Sequence, residues 1–229
     1  MYRNLQYLYR LLFPRLAFQV ISRYLPRKST FRVLDVGCGN HSPTLFKIFF
    51  PNCHYTGLDR EPDYNLTLED KANMDDFILM DLLTADWSRI PDESYDLITM
   101  AHVIEHVPNG EEVLTHLWAK LKPGGYLYIE TPGEKSLYLP SMPGTLNFFD
   151  DPTHARLYLP VEISNHLLRM GAKVHRVRIA RNYRRLFFMP ILLLLHLLFK
   201  GTIRRGALWW DLTGFAYYVI AQKPAMKIA

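Results

Sequence analysis

The stretch FRVLDVGCGNHSPT, Phe31 to Thr44, decides the fold. Val33, Leu34 and Val36 form a short apolar strand that carries an acid, Asp35, near its end. The chain then turns through Gly37 and Gly39. Glycine lets such a turn take positive φ and lets a ligand approach backbone with no Cβ in the way. Strand, glycine turn and helix together place a ligand at the carboxyl edge of a parallel sheet. Taken alone, the turn suits a dinucleotide or an adenosyl ligand equally.

The bulk properties fit a globular domain with a sizeable core. The chain has 229 residues, 49% of them hydrophobic and 21% charged, an ordinary globular balance. Two cysteines, Cys38 and Cys53, make no disulfide framework, so a reducing compartment is the expectation. The formal net charge of +5 is unevenly spread. Between Glu162 and Asp211 there is no acid, while Lys173, Arg176, Arg178, Arg181, Arg184, Arg185, Lys200, Arg204 and Arg205 accumulate. Such a block favours an anionic partner.

From Phe31 onward, apolar runs at 32–36, 55–58, 77–80, 95–100 and 125–131 alternate with helical stretches, clearest from Glu111 to Leu121. That alternation predicts an α/β fold, a parallel sheet with helices on both faces. Asp59 ends the second strand, twenty residues beyond Gly39, where a carboxylate can accept both ribose hydroxyls. Asp81 ends the third, placed to meet an adenine amino group. Three acids at three successive strand ends (Asp35, Asp59, Asp81) point to a built site.

Five segments, LDVGCG (34–39), GLD (57–59), MDL (80–82), SYDLITMAHVIEHV (94–107) and LKPGGYLYIETPG (121–133), make the chain resemble the class I S-adenosylmethionine-dependent methyltransferases. The resemblance covers about residues 30–135. It implies a Rossmann-like seven-stranded sheet whose last strand is antiparallel, with Gly171 to Ile179 as sixth strand and Phe215 to Gln222 as seventh. It also implies S-adenosylmethionine as cofactor. Asp35, Gly37, Cys38 and Gly39 would line its methionine part, Asp59 and Arg60 its ribose, and Asp81, Leu82, Ala101 and His102 its adenine. His41 stands where that family often has a third glycine. A nicotinamide dinucleotide is the competing ligand, but the third position of its G-x-G-x-x-G/A fingerprint is Ser42. His102-x-x-Glu105-His106 also spells a zinc-peptidase pattern, yet Pro108 interrupts the helix that pattern needs and no distant acid completes it. No metal is expected.

Residues 131–162 form a proline-, glycine- and aromatic-rich segment on the substrate side. Within it Asp151-Pro-Thr-His154-Ala-Arg156 is similar to a run in a branch that includes methyltransferases of cell-surface sugars. A hydroxyl acceptor must lose its proton, and histidine suits that task near neutral pH. His154 is the candidate general base, with Asp151 orienting it or the acceptor, and Arg156 binding an anionic group. The bland alternative is that Asp151 caps a turn and His154 closes the lid.

Two segments suggest a surface partner. In residues 1–28, Leu5, Leu8, Leu12, Leu16 and Val20 recur at helical spacing, with Tyr9, Phe13 and Ile21 beside them and Arg3, Arg10, Arg15 and Arg23 opposite. Pro14 kinks this segment or starts a second helix; it makes a poor signal peptide. It packs on the sheet or lies on a membrane. Residues 183–212 insert LFFMPILLLLHLLF (186–199) between the last two strands, flanked by arginines and followed by Trp209 and Trp210. This suits an in-plane anchor on an anionic membrane, or a buried or dimer-forming insertion. The domain proper is 29–229. The expected activity is methylation of an oxygen on a sugar or lipid-linked acceptor at the cytoplasmic face of a membrane. Quinone or isoprenoid-lipid methylation and a non-catalytic, cofactor-binding subunit are the alternatives. With no stacked-base or amino-group motif, nucleic acid is not the expected partner.

Overall fold

The structure, a computed structural model, describes residues 10–141, 146–200 and 206–225. Its strands are β1 (Arg32–Val36), β2 (His54–Asp59), β3 (Asp76–Leu79), β4 (Tyr95–Ala101), β5 (Leu121–Pro132), β6 (Lys173–Ile179) and β7 (Ala216–Gln222). They form one seven-stranded sheet in the order β3-β2-β1-β4-β5-β7-β6. The pairs from β3 across to β5 are parallel, and β7 runs antiparallel to both β5 and β6. The expected sheet, reversed strand included, is the observed one.

Both faces are covered, which is why β1 reads as a nearly continuous apolar run. One face packs α4 (Gly110–Lys120) and α5 (Pro160–Arg169) through Val113, Leu114, Leu117, Ile163 and Leu167 onto Leu34, Val36, Ile98 and Ile129. The opposite face packs α1 (Leu16–Ile21) and α2 (Ser42–Phe49) through Phe18, Ile21, Phe46 and Phe49 onto Val33, Leu97, Tyr128 and Ile220. The short α3 (Leu68–Ala72) follows β2.

The N-terminal segment corrects one expectation. Leu5, Leu8, Tyr9 and Arg3 lie outside the described residues. Beyond Pro14 a new helix begins at Leu16, and it buries Phe18, Val20 and Ile21 while Leu12 stays exposed. Proline broke the register, so a stripe extrapolated through it missed Phe18.

After β6 come α6 (Tyr183–Phe187), α7 (Met189–Lys200) and α8 (Gly206–Thr213). Phe187 (80% exposed), Ile191, Leu194, Leu197 and Leu198 (69%) face outward, and Leu192 is buried. The twelve residues of α7 span about 18 Å at 1.5 Å per residue. Among the described residues, no helix is long and apolar enough to cross a membrane. The N-terminal segment abuts this region: Pro14 and Leu12 carbonyls accept from Asn182 (2.9 Å) and Arg184 (3.1 Å), and the Phe13 and Phe188 rings meet at 5.6 Å. Arg204 and Arg205 lie outside the described residues.

Candidate active site

The glycine turn leaves β1 with Gly37 at φ +74° and its N–H donating to the Leu58 carbonyl at 2.8 Å. A Cβ on Gly37 would lie 2.2 Å from Val103 Cγ2, and one on Gly39 would lie 2.5 Å from the Tyr64 ring. The turn is therefore clasped between the loops that follow β4 and β2. Cys38 is buried, its Sγ filling the space where Gly57 lacks a side chain. Burial pushes that thiol well above its ordinary range. Its side chain thus packs behind the turn instead of lining a ligand.

His41, in place of the family's glycine, takes φ +61°. That left-handed conformation costs an ordinary residue about 1–2 kcal/mol. The imidazole is held there by Asp70, whose Oδ2 is 2.7 Å from Nδ1. Asp70 also accepts from Thr44 Oγ1 (2.5 Å), Thr67 N (2.8 Å) and Thr67 Oγ1 (2.7 Å). Burial alone would raise the Asp70 pKa, but the hydroxyls of Thr44 and Thr67 and the His41 ring hold it far below the usual carboxylate range.

Asp35 is placed differently from expectation. It is buried within the sheet and accepts from Ser42 Oγ (2.6 Å), Tyr55 Oη (2.5 Å) and Thr99 Oγ1 (2.6 Å). Arg15 extends the network, donating to Ser42 Oγ at 3.3 Å and to the Asn40 carbonyl at 2.7 Å. Burial raises the Asp35 pKa, and the three hydroxyls oppose it. Asp35 therefore braces the turn from beneath, buried and bound by three hydroxyls. This also explains Ser42: it opens α2 and caps the acid.

Asp59 ends β2 opposite Leu79, the last residue of β3, and Asp81 follows two residues later. One oxygen of each accepts from a backbone N–H two residues on, Glu61 at 3.0 Å and Leu83 at 2.9 Å. The second oxygen of each is left to accept from hydroxyl or amino donors. Leu82 packs partly against the core beside them. Arg60 instead points to solvent, 58% exposed and 3.6 Å from Glu61.

On the other side of β1, Ala101 ends β4 opposite Glu130 of β5. His102, at φ +55°, turns its ring away from β2 and β3. The ring lies between Trp210 of α8 (5.1 Å) and Phe215 (6.2 Å), with Nδ1 3.3 Å from Glu105 and Nε2 3.6 Å from Glu130. Burial lowers its pKa, but the two carboxylates outweigh this and lift it to about 10. His102 is thus held between two carboxylates and two aromatic rings. Glu130 lies two residues before the end of β5, an acid present in the sequence and left unused there.

The lid is stitched to the loop after β4. The Glu105 carbonyl accepts from Ala155 N (2.8 Å) and Arg156 N (3.1 Å). Arg156 pairs with both Glu111 oxygens at 2.9 Å and with Glu162 at 3.1 Å, its guanidinium over the Tyr158 ring. With two carboxylates satisfying it, Arg156 anchors the lid to α4 and α5 and is not a free anion binder. Asp151 caps its own turn, accepting from Thr153 N (2.9 Å) and Oγ1 (2.6 Å). The His154 ring is oriented by the Phe148 carbonyl, 2.5 Å from Nδ1, and not by Asp151. A carbonyl only accepts, so Nδ1 carries the hydrogen and Nε2 the lone pair. His154 lies beside His106, ring centroids 4.9 Å apart.

These features fit an adenosyl sulfonium. The positive-φ turn at Gly37 leaves backbone free of Cβ, and the two strand-end carboxylates match the donors of a ribose and an adenine. The turn touches Val103, so the methionine end would face the Glu105–His154 side, where an acceptor can enter.

Residues 3–177 match the family model described as "Methyltransferase domain". Over 122 residues the chain is 29% identical to a trans-aconitate 2-methyltransferase of Paracidovorax citrulli, covering 53% of this chain and 46% of that protein. Over 157 residues it is 27% identical to a ubiquinone biosynthesis O-methyltransferase of Marinobacter nauticus, covering 64% and 65%. The chain thus spans about half or less of the length of the first curated relatives it matches. A SAM-dependent methyltransferase from Archaeoglobus fulgidus shares the fold at TM-score 0.60 and 23% identity, over 95% of this chain and 99% of that one. With the glycine turn, the paired strand-end acids and the reversed seventh strand, this makes the chain a member of the methyltransferase domain family, enzymes whose cofactor is S-adenosylmethionine.

Proposed function

We propose that the chain methylates a hydroxyl oxygen of a lipid-carried acceptor, with a glycan head group, at the cytoplasmic face of a membrane. The observation that carries this reading is the run of contacts from His102 to the exposed apolar helices. The Trp210 ring lies tilted against His102, and the next residue, Asp211, accepts from Asn182 N (2.9 Å) and pairs with Arg185 (2.8 Å) at the start of α6. From there Phe187, Ile191, Leu194 and Leu198 lie exposed. Arg178 and Arg184 add exposed positive charge. Apolar side chains rimmed by arginine are what an in-plane membrane contact requires. The similarity of 151–156 to sugar methyltransferases supports the glycan.

Residues 131–162 act as the lid over the acceptor in this reading. S-adenosylmethionine supplies an electrophilic methyl: the acceptor oxygen forms the O–CH3 bond, the S–CH3 pair returns to sulfur, and the hydroxyl proton must leave. Gly37, Gly39, Asp59, Asp81 and Leu82 hold the cofactor. His154 takes the proton on Nε2, while Asp151 and Arg156 hold the lid in which it sits. Alignment and exclusion of water supply much of the acceleration. The likeness to the ubiquinone O-methyltransferase favours a second reading, a quinone-type phenol as acceptor.

Two assays test this. Radiolabelled cofactor is incubated with a native membrane extract, and the labelled fraction is identified. Label in glycolipid supports the first reading and label in quinone the second; label in RNA or soluble metabolites alone refutes both. Flotation with anionic liposomes should carry the wild-type chain, and Leu194→Glu/Leu198→Glu should stay behind. A wild-type chain that never floats, or that buries α7 in a dimer, removes the membrane from the proposal.

A further inference from the structure

Three neighbouring side chains have unspent coordination chemistry. Glu105, His106 and His154 each present one ligand atom, and these atoms lie within 4.8 Å of one another. Glu105 is 1% exposed. Its Oε2 accepts from Thr131 Oγ1 at 2.9 Å, whereas Oε1 is fully buried without a hydrogen-bond partner. The nearest cation to Oε1 is His102 Nδ1, at 3.3 Å, in ion-pair range but not aligned as a hydrogen bond. A buried carboxylate oxygen with that one ion-pair contact and no hydrogen bond keeps lone pairs for a further ligand.

In both imidazoles Nδ1 faces an oxygen of the 148–153 segment. His154 Nδ1 faces the Phe148 carbonyl. His106 Nδ1 lies 3.2 Å from the Thr153 carbonyl and 2.9 Å from Thr153 Oγ1. That hydroxyl gives its own proton to Asp151 Oδ1, so the His106 ring nitrogen is the donor. In each ring the hydrogen is spent on an outer oxygen and Nε2 keeps its lone pair. Ligand histidines commonly give their other N–H to a carbonyl or carboxylate-linked partner.

We propose that Glu105, His106 and His154 bind one divalent transition-metal ion, whose open positions take the acceptor oxygen. Two imidazoles and one carboxylate suit zinc, cobalt or iron better than magnesium, which prefers oxygen ligands. The ion lowers the pKa of a bound hydroxyl, and the released proton passes to water. With the ion bound, His154 Nε2 is a ligand in place of its role as base in the proposed function, and Asp151 and Thr153 set the His106 ring. The His102-x-x-Glu105-His106 pattern is thus only half used: Ile104–His106 is a single 3-10 turn, His102 turns elsewhere, and the third ligand comes from the lid. The inference rests on the proposed function for what the ion does, not for whether it binds.

The test uses the full chain stripped by chelator and titrated with Co2+, whose visible absorption reports protein ligation, with elemental analysis after Zn2+ loading. Wild type should take up one equivalent of either ion. His106→Ala, half-exposed and tolerant of folding, should weaken uptake about 100-fold, and Thr153→Val about 10-fold through the lost outer bond. Far-ultraviolet dichroism and S-adenosylmethionine affinity should stay at wild-type values. His54→Asn, far from the pocket, should leave stoichiometry at one. No stoichiometric Co2+ or Zn2+, or undiminished uptake by both His106→Ala and His154→Ala, overturns the site. Because uptake is read without acceptor, metal binding with no transfer to membrane lipid would sink the proposed function and leave the site standing.

Discussion

Thr99→Val tests whether Asp35 is a brace or a ligand contact. Thr99 lies opposite Asp35 in the β1–β4 register, is buried, and donates to Asp35 Oδ1 at 2.6 Å. Valine keeps the shape and removes the hydroxyl. A hydrogen bond to a charged acceptor contributes about 1.5–3 kcal/mol; the extra buried methyl and better strand propensity return about 0.5–1 kcal/mol. The net expected loss is about 1–2 kcal/mol. It is read as a lower urea midpoint at unchanged slope, with S-adenosylmethionine affinity measured by calorimetry. The hydroxyl favours the ionised acid, so the variant's Asp35 pKa is higher than wild type's. The deficit is therefore full where Asp35 is ionised and narrows in acid as it is protonated. In an Asp35→Asn background the same substitution should cost clearly less, since both remove one interaction. Unchanged stability with cofactor affinity lost would refute the brace, because it would mean that Asp35 faces the ligand.

Other outcomes follow from the same geometry. Gly37→Ala combines left-handed strain of about 1–2 kcal/mol with a 2.2 Å overlap on Val103. It should lower cofactor affinity at least about 10-fold by calorimetry, and Val103→Ala should restore part of it. Asp70→Asn should cost about 1–3 kcal/mol at neutral pH. The folded Asp70 pKa is depressed, so its contribution is present above about pH 4 and lost as pH falls. Acid denaturation should consequently show a shallower limb in the variant. Arg156→Ala removes half-exposed ion pairs, each contributing below about 1 kcal/mol to stability. Its clearer signature should be a raised KM for acceptor with the KM for cofactor unchanged, because it releases the lid.

Much of this protein was fixed by local sequence. Apolar runs of strand length and the glycine turn at 37–39 specify the strands and the edge where a ligand is expected, since a parallel sheet buried on both faces needs those runs and φ > 0 favours glycine. The reversed seventh strand came from the family resemblance, and the strand order only from the structure. What the side chains do was decided by contacts between residues far apart in sequence. Asp35 looks like Asp59 in the chain, yet strand pairing turns it onto Tyr55 and Thr99. His41 finds Asp70 twenty-nine residues away, and Arg156 finds Glu111 at a separation of forty-five. The His106–His154 pair forms where the Glu105 carbonyl accepts from Ala155 N and Arg156 N and where Thr153 meets His106. Period and propensity are properties of neighbours along the chain. The partner of a buried charge is set by register and packing, and so the function of each acid, arginine and histidine was a decision of the tertiary structure.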